Sequence, residues 1–181
     1  DSDQYTLLSF FGNAEYNYNH KYYGSASLRS DGSSRFAKDS RWGTFWSVGG
    51  SWRISEEDFM KDLSLINSLT LRASYGGQGN DNVGYYAYQG LFSIKNNLGE
   101  SGFVTSSLEN KDLKWETNLN FNIGLDYVLF RDRLSGSVEF FTRRSKDLLF
   151  DLPKALSTGY GSYTTNAGGL KNTGVEFSVT G

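Results

Sequence analysis

Leu113-Lys114-Trp115-Glu116-Thr117-Asn118-Leu119-Asn120-Phe121-Asn122-Ile123-Gly124-Leu125-Asp126-Tyr127 alternates in strict period two. Leu113, Trp115, Thr117, Leu119, Phe121, Ile123, Leu125 and Tyr127 fall on one side. Lys114, Glu116, Asn118, Asn120, Asn122, Gly124 and Asp126 fall on the other. The first side has one non-apolar member, Thr117, and the second has no large apolar one. Successive side chains of a strand point to opposite faces, whereas a helix would smear this set around its axis. The stretch predicts one long β-strand.

The same period recurs on both sides of it. Leu8, Phe10, Gly12, Ala14, Tyr16 and Tyr18 alternate with Ser9, Phe11, Asn13, Glu15 and Asn17. Tyr22 to Arg29, Thr44 to Ile54 and Leu69 to Gly76 repeat the pattern. After Tyr127, Leu134, Gly136, Val138 and Phe140 face away from Ser135, Ser137, Glu139 and Arg143. Val175, Phe177 and Val179 oppose Gly174, Glu176, Ser178 and Thr180. Seven strands are expected.

Their connections alternate in length. Residues 19–21, 55–68 and 128–133 make the shorter ones; 30–43, 77–112 and 144–170 are longer and polar. In an up-and-down meander, alternate connections share an end, so one end is tight and the other carries long loops. Outer-membrane β-barrels have this asymmetry, and ~9–11 tilted residues per strand cross the bilayer. The apolar face would meet lipid and the Ser, Asn, Arg and Glu face a wet lumen. Trp46, Trp52, Trp115, Tyr127, Tyr16, Tyr18 and Tyr22 suit interfacial girdles. A soluble sandwich with its apolar faces packed together also alternates. It accounts for neither the one-sided loops nor strands well beyond the usual ~5–6 residues.

Composition agrees with a wet, aromatic β structure. The 181 residues include 13 Phe, 12 Tyr and 4 Trp, with 21 Gly and one Pro. Mean hydropathy is nevertheless -0.50, as expected when half of each strand meets water. No apolar run approaches the ~20 residues of a membrane helix. Eighteen Lys and Arg against twenty Asp and Glu leave a net charge of -2, which argues against a nucleic-acid surface. There is no Cys and a single His, His20. Thiolate zinc sites, disulfide scaffolds and histidine metal pairs are therefore not available. Asp1-Ser2-Asp3-Gln4 has neither a basic start nor an apolar stretch, and is not expected to be a signal peptide.

Several segments resemble one family. They are Ala26-Ser27-Leu28-Arg29-Ser30-Asp31-Gly32-Ser33-Ser34-Arg35-Phe36, Arg41-Trp42-Gly43-Thr44-Phe45 and Trp52-Arg53-Ile54-Ser55-Glu56-Glu57. Leu69-Thr70-Leu71-Arg72-Ala73-Ser74-Tyr75-Gly76, Gly79-Asn80, Leu113 to Thr117 and Asn122 to Asp126 follow. Asp132 to Val138, Lys146-Asp147-Leu148-Leu149 and Asn172 to Glu176 complete the series. Together they resemble SusC/RagA-type TonB-linked (TonB-dependent) outer-membrane transporters over nearly the whole chain. One departure is Trp46, where the family usually has Pro.

The resemblance implies an all-β fold, an antiparallel up-and-down transmembrane β-barrel segment of about seven strands from a roughly 22-stranded barrel. Residues 1–181 would be part of that barrel domain, a fragment without the plug domain. The implied function is import of glycans or oligopeptides across the outer membrane of a Bacteroidetes-type bacterium. A TonB complex would act through the plug, and a SusD-like lipoprotein would cover the loop end. The implied setting is a multi-pass barrel in outer-membrane lipid, with no cofactor, no nucleic acid and no chemistry on the substrate. The alternative is a soluble or surface all-β carbohydrate-binding module; a glycosidase fragment lacks a persuasive carboxylate pair.

Few residues invite a chemical role. Ser55-Glu56-Glu57-Asp58 clusters carboxylates, but reads better as a capping-box start to a turn through Phe59, Met60 and Leu63. Gly76-Gly77-Gln78-Gly79 lacks the spacing and the helix of a nucleotide loop, and is expected to be a flexible loop entry. Asn80-Asp81-Asn82 is oxygen-rich, a weak calcium signal against a solvated loop. His20 is expected in a solvated turn. Arg29, Arg35, Arg53, Arg72 and Arg143 can pair with Glu15, Glu116, Asp126 and Glu139 across strands, or contact plug or substrate. Tyr85, Tyr86, Tyr88 and Phe92, with Tyr160 and Tyr163, are the candidates for substrate or partner contact; self-packing of the loops is the competing reading.

Overall fold

The computed structural model describes residues 3–160 and 162–181. Asp1 and Ser2, half of the N-terminal segment read above as carrying no leader, lie outside the described residues, as does Gly161 of the last connection. The strands in chain order are β1 (Leu7–Tyr18), β2 (Tyr22–Ser33), β3 (Trp42–Arg53), β4 (Ile66–Asn80), β5 (Leu91–Asn97) and β6 (Glu100–Ser107). They continue with β7 (Glu116–Leu129), β8 (Leu134–Lys146), β9 (Leu149–Pro153), β10 (Ser162–Asn166) and β11 (Gly169–Thr180). One seven-stranded antiparallel sheet has the order β1-β2-β3-β4-β7-β8-β11. The expected meander is therefore present, strand for strand.

Register keeps the two faces apart across the whole sheet. Tyr75 lies opposite Phe121, Ile123 opposite Phe140, and Phe140 opposite Val175. On the other face Ser74 meets Asn122, and Asn120 meets Arg143. No second sheet covers the apolar side among the described residues: Phe10 is 62% exposed, Phe177 74% and Val179 67%. A sandwich would bury these side chains, so that alternative is not the arrangement found.

The tight end is built by left-handed residues. Asn19 and His20 both have positive φ, and the Lys21 N–H closes the turn on the Tyr18 carbonyl. The connection is three residues long, and Asn is, after Gly, among the residues that best tolerate its left-handed positions. Asn17 supports it, its Oδ1 accepting the His20 N–H at 3.0 Å. His20 is the turn residue expected. Between β7 and β8, Phe130, Arg131 and Asp132 are all left-handed. Two bonds hold that run: Phe130 N–H to the Leu65 carbonyl at 2.9 Å, and Arg131 N–H to Asn67 Oδ1 at 2.9 Å.

Four expectations are corrected. The long strand starts at Glu116, not Leu113, and Leu113 and Trp115 turn inward instead of joining the apolar face. Gly76-Gly77-Gln78-Gly79 lies inside β4 rather than in a loop entry. Ser55 caps nothing: the segment forms two short 3₁₀ turns, Ile54–Glu56 and Asp58–Met60, without a side-chain cap. The two longest connections are not plain loops, since each folds a hairpin of its own, β5–β6 and β9–β10.

Leu113 and Trp115 close the gap where β3 and β4 separate. These strands pair only from Ser47/Gly76 to Arg53/Thr70. Beyond that fork Phe36, Phe45, Leu113 and Trp115 form the buried cluster, with Val83, Ala87, Tyr88 and Leu149 against it. Trp115 stands 5.5 Å from both Phe36 and Phe45, centroid to centroid, and its Nε1–H donates to the Arg41 carbonyl at 2.8 Å. Gly43 and Gly79 are required here, because a Cβ on either would collide with the Phe45 ring. The core thus sits at the loop end, and the sheet itself has none.

Candidate functional site

Two regions can act on something outside the chain: the polar face of the sheet and the loop end above it. The polar face encloses a groove of about 1170 Å³, walled by Arg29, Ser47, Gln78, Asn120, Glu139 and Arg143 among others. Alternation places them all on one side of five adjacent strands, β2, β3, β4, β7 and β8.

Charge on this wall is largely matched from within. Arg72 on β4 donates from Nε to Asp126 Oδ2 at 2.9 Å and from Nη2 to Glu139 Oε2 at 2.7 Å. Gly124 stands between Arg72 and Glu139 in the ladder, and the guanidinium lies across it. Of the pairings expected across strands, these two with Arg72 form. Arg29 instead pairs within its own strand, with Asp31 at 2.6 Å. Arg143 Nε donates to Asn120 Oδ1 at 2.9 Å. Glu116 is used locally, accepting from Asn118 Nδ2 and from the Leu149 N–H. Phe45 and Phe141 also line the groove; period two places Phe45 on this side, between Thr44 and Trp46, but leaves out Phe141, because two consecutive Phe residues hide the parity.

At the loop end Asp81 organises the first part of the long connection. Its Oδ2 accepts from the Tyr5 hydroxyl at 2.9 Å and the buried Ser33 hydroxyl at 2.7 Å. Arg35 donates from Nη1 to the Asp81 carbonyl, and its guanidinium sits 4.7 Å from the Tyr5 ring and 5.0 Å from Tyr85. Burial, then the Asp81 carboxylate, pushes the Tyr5 phenol above its ordinary range. The Asn80-Asp81-Asn82 oxygens are thus largely spoken for: Asn80 Oδ1 accepts the Asn82 N–H.

The six candidate aromatics do not form one site. Tyr85 stacks with Arg35, and the Tyr86 hydroxyl accepts the Gln4 N–H. Tyr88 packs on the Phe36–Trp115 cluster. Phe92 is exposed on β5, and Ile94 and Phe103 share its face of the β5–β6 hairpin. Tyr163, on the separate β9–β10 hairpin, carries Lys154 over its ring at 5.4 Å. Tyr160 lies half-buried before β10. Self-packing accounts for Tyr85 and Tyr88, while Phe92 stays exposed.

The tight end has a polar latch. Glu57 accepts from the Tyr22 hydroxyl, from Trp52 Nε1 at 3.1 Å and from Lys21 Nζ at 3.3 Å. The Tyr22 and Trp52 hydrogen bonds, followed by Lys21, hold its carboxyl below the ordinary glutamate range. That role, rather than acid/base work, explains Glu57 in the Ser55–Asp58 segment.

Comparison with known proteins fits this geometry. The family model described as TonB dependent receptor-like, beta-barrel matches residues 1–181. The TonB-dependent receptor SusC of Bacteroides thetaiotaomicron is 37% identical over 183 residues, covering 96% of this chain and 18% of that protein. A TonB-dependent receptor of Formosa agariphila is 38% identical over 182 residues, with 99% and 17% covered. The RagAB peptide importer in its 'closed-closed' state superimposes with TM-score 0.89 at 37% identity, covering 97% of this chain and 19% of that one. The siderophore receptor PirA of Pseudomonas aeruginosa, at TM-score 0.64 and 15% identity, shares the fold alone. The chain spans less than a fifth of the curated relatives' length.

Proposed function

This chain belongs to the TonB-dependent receptor-like β-barrel family, and from that premise we propose that it forms one section of the wall of an outer-membrane nutrient importer. The family is one of receptors and not of enzymes. The observation that carries the reading is the uncovered apolar face. Seven strands present Phe10, Val48, Ile123, Val175 and Phe177 outward with nothing packed on them, and a polar groove on the other side. Water would penalise that surface, whereas lipid accepts it.

Residues 1–181 would then be part of a barrel of ~22 strands, with a plug occupying the lumen against the Arg72–Glu139 wall. Energy would come from a TonB complex acting on the plug. The cargo would be glycans or oligopeptides; the RagAB match is to a peptide importer, which supports the second. A SusD-like lipoprotein would close the loop end. Phe92, on the exposed β5–β6 hairpin, is the best placed of the six aromatics to touch it. Tyr85, Tyr86, Tyr88, Tyr160 and Tyr163 would contribute to the same loop surface or to cargo contact.

Separation of inner-membrane, outer-membrane and soluble fractions tests the reading, with an antibody raised against residues 77–112. A heat-modifiable outer-membrane band well above 20.3 kDa, in cells whose uptake of labelled oligopeptides or oligosaccharides requires TonB, is the expected result. A soluble band overturns it.

A further inference from the structure

On the apolar face of β7, β8 and β11, the loop end differs from that of the other strands. On β1 and β3 this level carries Phe10, Trp42 and Trp46, an aromatic edge, with Tyr75 one outward step lower on β4. On β7, β8 and β11 the same outward series continues from Phe121, Phe140 and Val175 into Arg144, Lys146 and Lys171. Arg144 and Lys171 are directly opposite across β8–β11, with Leu119 flanking Arg144 on β7. Lys146 stands two residues along β8 on the same side, between Thr117 and Gly169.

All three cations are exposed, and none takes part in an ion pair among the described residues. The neighbouring Asp147 is engaged by Lys114 Nζ at 3.1 Å. Like charges placed directly opposite on a sheet repel, so this arrangement favours an anion between them.

Height along the membrane normal says which anion. Gly136 lies opposite Tyr127, the aromatic of the tight end, and Lys146 is ten residues further along β8. At ~3.3 Å per residue that is about 33 Å of strand, and a tilt of ~40° leaves about 25 Å of height. An outward apolar band is ~25 Å tall. The cations therefore stand at its upper edge, level with lipid head groups.

We infer that Arg144, Lys146 and Lys171 form a binding site for the phosphate of an outer-leaflet glycolipid. The Arg144 guanidinium offers a planar fork to phosphate oxygens and the two lysines offer point charges, while the acyl chains lie along Phe121, Phe140 and Val175. Basic clusters next to the apolar zone bind anionic head groups in this way. The inference rests on the outer-membrane reading above.

The test uses the full-length transporter with its natural partners, purified from outer membranes in mild detergent. Native mass spectrometry counts bound monophosphoryl lipid A, with the dephosphorylated lipid as control, for the natural protein and for Arg144→Gln/Lys146→Gln/Lys171→Gln. All three positions are exposed, and heat-modifiable migration reports that the variant barrel has formed. The expected result is a tenfold or greater loss of affinity for the phosphorylated lipid in the variant, little binding of the control lipid, and no competition by millimolar inorganic phosphate. Equal lipid binding by the two proteins overturns the inference. So does displacement by inorganic phosphate, which would make this a site for the free anion. Loss of a protein partner with lipid binding unchanged also overturns it, assigning the cluster to that partner. Failure of the natural protein to appear in the outer membrane would remove the premise itself, a result visible before any lipid is added.

Discussion

The guanidinium of Arg72 reaches Glu139 two strands away, Nη2 to Oε2 at 2.7 Å, by lying over Gly124 on the strand between them. The glycine is therefore part of the ion pair although it carries no charge. A valine at 124 would put its side chain where the guanidinium now rests. Both partners are partly exposed, so the pair contributes on the order of 0.5–1 kcal/mol. Gly124→Val and Glu139→Gln should each cost about that much, and the double variant no more than the larger single effect. Additive losses in a denaturation cycle on the full-length protein would show that Gly124 acts independently of the pair.

Trp115 should be the costliest tryptophan to remove. Its ring is 8% exposed and fills the fork between β3 and β4. Trp115→Ala is expected to cost about 3–5 kcal/mol. Trp115→Phe keeps much of the packing but loses the bond to the Arg41 carbonyl, at about 1 kcal/mol. Urea titrations of the two variants provide the check: equal losses would remove ring packing from the account, and a Phe variant as stable as the natural protein would remove the hydrogen bond.

The same four tryptophans report the surroundings of the sheet. Trp42, Trp46 and Trp52 sit on the outward face, and Trp115 is enclosed. Brominated lipid should quench single-tryptophan proteins retaining Trp42, Trp46 or Trp52, and leave the Trp115 protein bright. Uniform quenching, or none, contradicts this sidedness.

Charge placement should be just as one-sided. Ile123→Arg puts a cation on the outward face and should cost about 2–4 kcal/mol near mid-bilayer. Asn122→Arg, one residue away, points into the polar groove and should stay within about 0.5 kcal/mol. Refolding yields of the two variants in lipid vesicles distinguish them. Comparable losses would mean that the faces are assigned wrongly.

Acid should loosen the tight end through Glu57. Its carboxyl is held below the ordinary glutamate value by Tyr22, Trp52 and Lys21. A depressed folded-state pKa adds stability that is fully present above the unfolded value, ~4.3. That stability is lost as the pH falls through the lower folded value. Glu57→Gln should therefore flatten the acid limb of a melting-temperature profile and lower the plateau above pH ~5. An unchanged acid limb would show that the latch contributes nothing to stability.

Most of the sheet is legible in the sequence because period two is a strong signal and a slip of one residue would invert every face. Leu119 to Tyr127 could be placed by counting alone. The same signal misleads at its edge: Leu113 and Trp115 keep the parity of the strand but lie outside it, and only the fork between β3 and β4 explains why they turn inward. The hairpins in the long connections were not legible, since Phe92 and Ile94 alternate with Ser93 and Lys95 for only four residues before Asn96 ends the pattern, and β9 and β10 are five residues each. Phe141 was missed for a related reason, being an aromatic on the polar face directly after Phe140. The Arg72 pairs with Asp126 and Glu139 were anticipated as types, but the part played by Gly124 needs the register.

Asn166 ties the two longest connections into one mechanical unit. Its Oδ1 accepts the Lys114 N–H at 2.9 Å, while its Nδ2 donates to the Lys114 carbonyl at 2.8 Å, as a neighbouring strand would. Asn110, buried on the way to β7 four residues before Lys114, donates from Nδ2 to the Thr164 carbonyl at 2.9 Å. A pull on the β9–β10 hairpin is thereby transmitted to the root of β7, without travelling through the sheet. Any traction at the mouth of the barrel would be shared by both hairpins, and two amide side chains, Asn166 and Asn110, are the coupling pins.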